Sequence, residues 1–199
     1  MIKRRLGPCV TFFPQPTTLL TSVDAAGKTN LMTASWVGVV SKTPPTMAVS
    51  LHRERQTLVN IRETGCFVVN VVPASLMREA DFCGLRSGRQ VDKLPVTGLT
   101  LKPAAHLPVS LIDESPLNIE CRLSGEVKIG DYRLLLGEIV EVHAADEAFD
   151  AAGSMQAQAI DPLVYLGGIR EYWGLGARVG TAYRDGLDLA AEDKEEPPK

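Results

Sequence analysis

The chain has 199 residues, room for one domain with a substantial core but cramped for two. Hydrophobic residues make up 45% and charged residues 23%, the balance of an ordinary globular protein, which excludes global disorder. A formal net charge of −3 excludes nucleic acid as the main partner, because a phosphate backbone is gripped by a dense cationic surface.

The N-terminal MIKRRLGPCV begins with positive charge as a signal peptide does, but Pro8, Pro14 and Pro16 break the apolar stretch behind it. No segment approaches the roughly 18 apolar residues that span a bilayer, so a cytoplasmic protein without membrane contact is expected. Cys9, Cys66, Cys83 and Cys121 are scattered, with no Cys-x-x-Cys and no paired Cys/His spacing; separate reduced thiols and no metal site are expected. Cys66 and Cys121 sit in apolar runs and read as small buried hydrophobes.

Thr18 to Val23 and Leu31 to Val40 read as strands joined by a hairpin in which Gly27 supplies a positive φ. Met47, Val49 and Leu51 alternate after Pro44-Pro45 and predict a half-buried strand. Thr57 as N-cap, an apolar face of Leu58, Val59 and Ile61, and Gly65 at the C-terminal stop predict a short helix. Cys66 to Val72 is almost continuously apolar and predicts a strand covered on both faces, ended by Pro73. A second helix is predicted from Ala74 to Cys83 with Gly84 as its stop, followed by a polar loop from Gly84 to Lys93. Leu117, Ile119, Cys121 and Leu123 alternate, Gly130-Asp131 marks a turn, and Leu134 to Val142 supplies the partner of a long hairpin. Leu163 to Leu166 predicts a short final strand. Six or seven strands with two or three short helices and tight turns predict a closed or nearly closed antiparallel barrel rather than a βαβ fold. The domain is expected over residues 1–190. The tail 191–199, AEDKEEPPK, has no apolar anchor and is expected to be disordered.

Several motifs carry little. Gly174-Leu-Gly176-Ala-Arg-Val-Gly180 has its third glycine one residue late for a dinucleotide fingerprint and no βαβ unit around it. His52, His106 and His143 are far apart and accompany no nucleophile motif, so each reads as a hydrogen-bonded or surface histidine.

Two polar clusters carry more. Ser50-Leu-His-Arg53-Glu-Arg55-Gln-Thr57 leads a strand into a helix N-terminus, where unpaired amides and partial positive charge favour a phosphate that arginine and hydroxyl groups can complete. The alternative is a helix cap at Thr57 with solvated arginines paired to Glu54. Asn30-Leu-Met-Thr33-Ala-Ser35-Trp36 offers small residues against which a flat ring can approach the backbone; the alternative is an ordinary strand with a buried Trp36.

The order of four stretches resembles the flavin reductase-like family, the FMN-binding split barrels that include flavoredoxins. They are Thr33-Ala-Ser-Trp36 with Val40-Ser-Lys-Thr-Pro44-Pro45; Val49-Ser-Leu with Arg53, Thr57, Asn60 and Ile61; Cys66-Phe-Val-Val-Asn70-Val; and Pro116-Leu-Asn-Ile-Glu120-Cys121 with Gly130-Asp131 and Gly137-Glu-Ile-Val140. The resemblance spans about residues 10 to 175. It implies a mostly β fold, a six-stranded antiparallel split β-barrel with a few short helices, that forms a homodimer and holds noncovalent FMN. It further implies that Asn30, Met32, Thr33, Ala34, Ser35 and Trp36 line the ring, that Ser50, Leu51, His52, Arg53 and Thr57 hold the phosphate end, and that Ser87, Arg89, Asp92 and Lys93 belong to a loop closing over the flavin. The expected function is a flavin-dependent oxidoreductase passing electrons from NADH or NADPH to flavin or a small acceptor, with no side-chain acid or base required. The alternative is a flavoredoxin-like electron-transfer protein served by a protein redox partner. Two positions depart from the family pattern, Tyr132 where relatives often carry His and Leu94 where they often carry an aromatic.

Overall fold

The computed structural model describes residues 1–187 and 189; the tail expected at 191–199 lies outside them. In chain order the elements are β1 (Gln15–Pro16), β2 (Thr18–Val23), β3 (Thr29–Ala34), β4 (Val37–Lys42), β5 (Pro45–His52), α1 (Gln56–Thr64), β6 (Cys66–Val71), α2 (Met77–Leu85), α3 (Leu94–Thr97), β7 (Leu101–Pro103), β8 (Ser110–Ile112), β9 (Leu117–Ile129), β10 (Tyr132–Ala144), α4 (Ala157–Ile160), β11 (Val164–Leu166) and β12 (Glu171–Trp173). Seven strands make one antiparallel sheet in the order β3-β2-β6-β9-β10-β5-β4. Its two edges, β3 and β4, follow one another in the chain with only Ser35 and Trp36 between them. So short a link forces the sheet to curl until its edges meet at one end, yet no ladder joins them. The result is a split barrel. It has one strand more than the resemblance implies because the run Leu31 to Val40, read as one strand, breaks at Ser35-Trp36 into two that lie at opposite edges.

The barrel interior is filled by Leu20, Met32, Val49, Leu51, Phe67, Val69, Cys121 and Leu135, with Leu58 and Ile61 of α1 packed into it. Phe67 is fully buried, a placement that contributes about 1.5–3 kcal/mol. A second apolar cluster lies on the outer face, where Leu19 and Leu31 meet Ala80 and Cys83 of α2 together with Leu99, Ile112 and Leu163. A third joins Val23, Cys66 and Val68 to Val109 and Leu111. These outer layers explain why β6 reads as a nearly continuous apolar run and why β2 is buried along its whole length: both faces are covered. Cys66 and Cys121 are buried as expected, and burial pushes the Cys121 thiol up to about 12.

Gly137 of β10 faces inward at a break in register with β9. A Cβ there would come within 2.6 Å of Phe67 Cζ and 2.9 Å of Cys121 Cβ. Replacing Gly137 by alanine should therefore overpack the core and destabilise the protein by about 1–3 kcal/mol. A lowered urea midpoint would register it, and an unchanged midpoint would show that the barrel relaxes there.

Two helix ends differ from the sequence expectation. Arg55, not Thr57, occupies the N-cap of α1, in extended conformation and without a side-chain cap, while Gly65 ends the helix with φ 70° as expected. Gly84 lies inside α2 rather than stopping it; the helix begins at Met77 after a tight turn over 74–76 and runs to Leu85. A small sheet, β1-β11-β12, closes the open side beside α2, and β12 has no counterpart in the sequence reading. No helix among the described residues is long and apolar enough to cross a membrane.

Candidate functional site

The split between β3 and β4 opens into a cleft of ≈ 350 Å³. One wall is the barrel rim: Met32, Thr33 and Ala34 at the end of β3, the Ser35-Trp36 link, Ser50 and His52 at the end of β5, and Tyr132 at the start of β10. The rim is held in register where the Ser50 amide donates to the Trp36 carbonyl at 3.0 Å. Trp36 is not a core residue; it is 39% exposed, and its ring lies 5.2 Å from that of Tyr132, whose other edge meets His52 at 5.3 Å. The facing wall comes from α2 and the small sheet: Asp81, Gly84, Leu85, Tyr165 and Tyr172. The Thr33 hydroxyl donates to the Ala80 carbonyl and so fastens α2 across the end of β3.

The cleft continues, through Met32 and Arg55, into a narrow hollow of ≈ 10 Å³ at the start of α1, lined also by Asn30, Gln56, Thr57, Arg86, Ser87, Gly88 and Lys93. Asn30 Nδ2 donates to the buried Thr57 hydroxyl at 2.9 Å, tying β3 to the first turn of α1. The loop backbone comes down on this pair so closely that a Cβ on Gly88 would lie 1.9 Å from Asn30 Oδ1. A side chain there would have to push the Asn30 amide aside. Beyond the hollow a polar cavity of ≈ 200 Å³ shares Asn30, Gln56, Gly88 and Lys93 with it.

Three cations line the hollow, the exposed Arg86 and two that are withdrawn from water, Lys93 and Arg55. Lys93 is 4% exposed, and its ammonium donates to the carbonyls of Leu31 and Cys83, each at 2.8 Å, with no carboxylate in contact. Burial lowers its pKa from the ordinary lysine range; the charge of Arg55 adds to that, while Cys83 opposes it. Arg55 is half-buried and makes neither an ion pair nor a side-chain hydrogen bond among the described residues. Two neighbouring cations removed from water repel one another and are stabilised by an anion between them. The helix N-terminus adds unpaired amides and partial positive charge.

The structure thus brings together Asn30, Met32, Thr33, Ala34, Ser35, Trp36, Ser50, His52, Thr57, Ser87 and Lys93. It does not bring all the expected residues to the cleft. Leu51 points into the barrel core. Arg53 is exposed and turned to the β9–β10 turn, its guanidinium 3.2 Å from Asp131 and its amide bonded to the Asp131 carbonyl. Arg89 is exposed and lines none of these hollows, and Asp92 pairs with Lys28 at 3.0 Å at the mouth of the outer polar cavity. The residues absent from the sequence expectation are Arg55, Asp81, Tyr132 as a wall residue, Tyr165 and Tyr172. Arg55 stood out in the sequence as the second arginine before the helix and Tyr132 as a departure from the family pattern, whereas Asp81 and Tyr165 carried no local signal.

Comparison with known proteins agrees with this geometry. The model of the flavin reductase like domain matches residues 10–174. The chain belongs to the flavin reductase-like family. Among solved structures of that kind, a flavoredoxin of Desulfovibrio vulgaris (Miyazaki F) superposes with a TM-score of 0.88 at 29% identity, covering 93% of this chain and 100% of the other. A flavoredoxin from Methanosarcina acetivorans gives 0.84 at 29% identity, covering 95% and 98%. An uncharacterized protein of Archaeoglobus fulgidus is 36% identical over 124 residues, 62% of this chain and 70% of that one. Flavin reductase-like membership thus accounts for the split barrel.

Proposed function

We propose that the protein binds FMN noncovalently along the cleft and uses it as an oxidoreductase, drawing electrons from NADH or NADPH. The observation that carries this reading is the pair Arg55 and Lys93, cations withdrawn from water that pair with no carboxylate among the described residues and line one hollow opening onto an aromatic-walled cleft. A dianionic phosphate monoester attached to a flat ring suits both parts. The residues present fit the group. Arg55, Lys93, the Thr57 and Ser87 hydroxyls and the first amides of α1 would hold the phosphate. Met32 to Trp36 would lie along the ring, where backbone groups can read its polar edge. When bound, isoalloxazine supplies the redox chemistry, taking up a hydride or passing single electrons. The chain's part is to orient that ring, to neutralise the phosphate, and to wall the cleft with aromatic side chains that limit water.

Residues 1–190 would act as one flavin-binding domain. A homodimer is supported by exposed apolar side chains on the edge strand β4, Val39 and Val40, and on the free half of β9, Val127 and Ile129. The absorption spectrum of the purified protein tests FMN binding directly: a flavin band is expected, and protein that stays colourless after added FMN would end the reading. Anaerobic stopped-flow mixing with NADH and NADPH tests the donor, since loss of that band should follow mixing.

A second reading, a flavoredoxin-like carrier reduced by a protein partner, has one observation in its favour. Tyr132, where relatives often carry His, stands in the cleft wall against both Trp36 and His52. Reduction by a reduced ferredoxin but by neither nicotinamide would select it.

A further inference from the structure

The wide cleft has two charged side chains in its lining, Arg55 and Asp81. Arg55 also lines the narrow hollow, whereas Asp81 faces the wide part alone. Asp81 lies on α2, half-buried, and makes no ion pair among the described residues. One of its oxygens, Oδ1, accepts the phenol hydrogen of Tyr172 at 3.2 Å; Oδ2 makes no hydrogen bond among the described residues. Tyr172 itself packs against Tyr165 in a tilted pair, ring centroids 5.3 Å apart, and both rings line the same cleft as Trp36 and Tyr132. An aromatic corridor with one uncompensated carboxylate on its far wall favours flat guests and repels negative ones.

We propose that Asp81, steadied by Tyr172, sets the acceptor class of the cleft: flat, uncharged aromatic molecules, above all those with a hydroxyl to donate, over aromatic anions. The inference rests on FMN lying in the cleft as proposed above, with its phosphate at Arg55. That arrangement leaves the Asp81 carboxylate as the charge a second guest meets. Flavin position and acceptor choice are then separate duties, since Asp81 lines none of the hollow that would take the phosphate.

The test is equilibrium titration of the oxidised, FMN-loaded protein by calorimetry with two probes of one shape, neutral 2-naphthol and anionic 2-naphthalenesulfonate. The wild-type protein should bind the naphthol more tightly. Asp81→Asn should tighten the sulfonate by about five- to tenfold, the loss of one like charge in a partly screened cleft. Asp81→Glu, which keeps the charge, should restore the discrimination. Raising ionic strength should weaken discrimination in the wild-type protein, a readout that needs no variant and that a merely structural role of Asp81 would not produce. Equal sulfonate affinity in Asp81→Asn and wild type, or discrimination indifferent to salt, would overturn the inference while FMN binding stands. Failure to bind FMN at all would instead remove the reading beneath it.

Discussion

Arg55→Ala will weaken FMN binding by about ten- to hundredfold, the effect of losing a charge-assisted phosphate bond worth roughly 1.5–3 kcal/mol. Arg53→Ala, two residues earlier, will change it by no more than about twofold, in line with the small worth of an exposed ion pair. The contrast follows from the turn between β5 and α1. The amide of Arg53 donates to the Asp131 carbonyl at 2.8 Å and its guanidinium pairs with the same residue, so the side chain is held at the β9–β10 turn. Arg55 sits at the N-cap of α1, lines both the cleft and the hollow, and its guanidinium has no ion pair or hydrogen bond among the described residues. Flavin fluorescence titration of the two variants measures the difference directly. Equal losses for both, or a larger loss for Arg53→Ala, would place the phosphate elsewhere. Removing Arg55 also relieves repulsion on Lys93, so part of the lost attraction is returned and the larger end of the range is an upper limit.

The same turn illustrates what the sequence made legible. Alternation along β5, β9 and β10, the glycines at positions 27, 65 and 130, and the apolar run of β6 are local signals, and the structure places strands and turns at each of them. Gly27 has φ 81° and Gly65 φ 70°, conformations that an L side chain resists. What escaped depends on contacts distant in sequence. Ser35-Trp36 looks like the middle of a β-favouring run, and only closure of the sheet into a split barrel sends the strands on either side to opposite edges. Arg53 and Arg55 are equally attractive before the helix; Asp131, 78 positions after Arg53, decides which one is free. Asp81, Tyr165 and Tyr172 reach the cleft because α2 and the β11–β12 hairpin fold over the rim, a packing fixed by the outer cluster of Leu19, Leu31, Ala80 and Leu163 and by no periodicity within those segments. Lys93 read as part of a mobile-looking polar loop, yet it is one of the most buried cations in the chain. Its stem passes under the loop to two carbonyls of β3 and α2.

Glu120→Ala will destabilise the protein by about 3–5 kcal/mol, because three backbone amides lose their acceptor at roughly 1–3 kcal/mol each. Glu120 points outward from β9 between the inward Ile119 and Cys121, and it has no exposed surface. One carboxylate gathers the 104–107 segment: Oε1 accepts from the Ala105 amide at 2.6 Å, and Oε2 from the amides of His106 at 3.0 Å and Leu107 at 3.2 Å. His143 of β10 adds its Nε2 at 2.6 Å to Oε1. Burial alone would raise the carboxyl pKa, but His143 and the amides outweigh it and hold Glu120 below the ordinary glutamate range. A group depressed in the folded state contributes stability above its unfolded pKa and loses it as pH falls through the folded one. The wild-type advantage over Glu120→Ala in urea unfolding should therefore be full at neutral pH and shrink once pH drops below the ordinary glutamate value. His143→Ala should cost less, about 1–2 kcal/mol, because the three amides still satisfy the carboxylate and the histidine is partly exposed. A Glu120→Ala protein as stable as wild type at neutral pH would mean that the 104–107 segment is held by the apolar contacts of Val109 and Leu111 alone, with the carboxylate as a passenger.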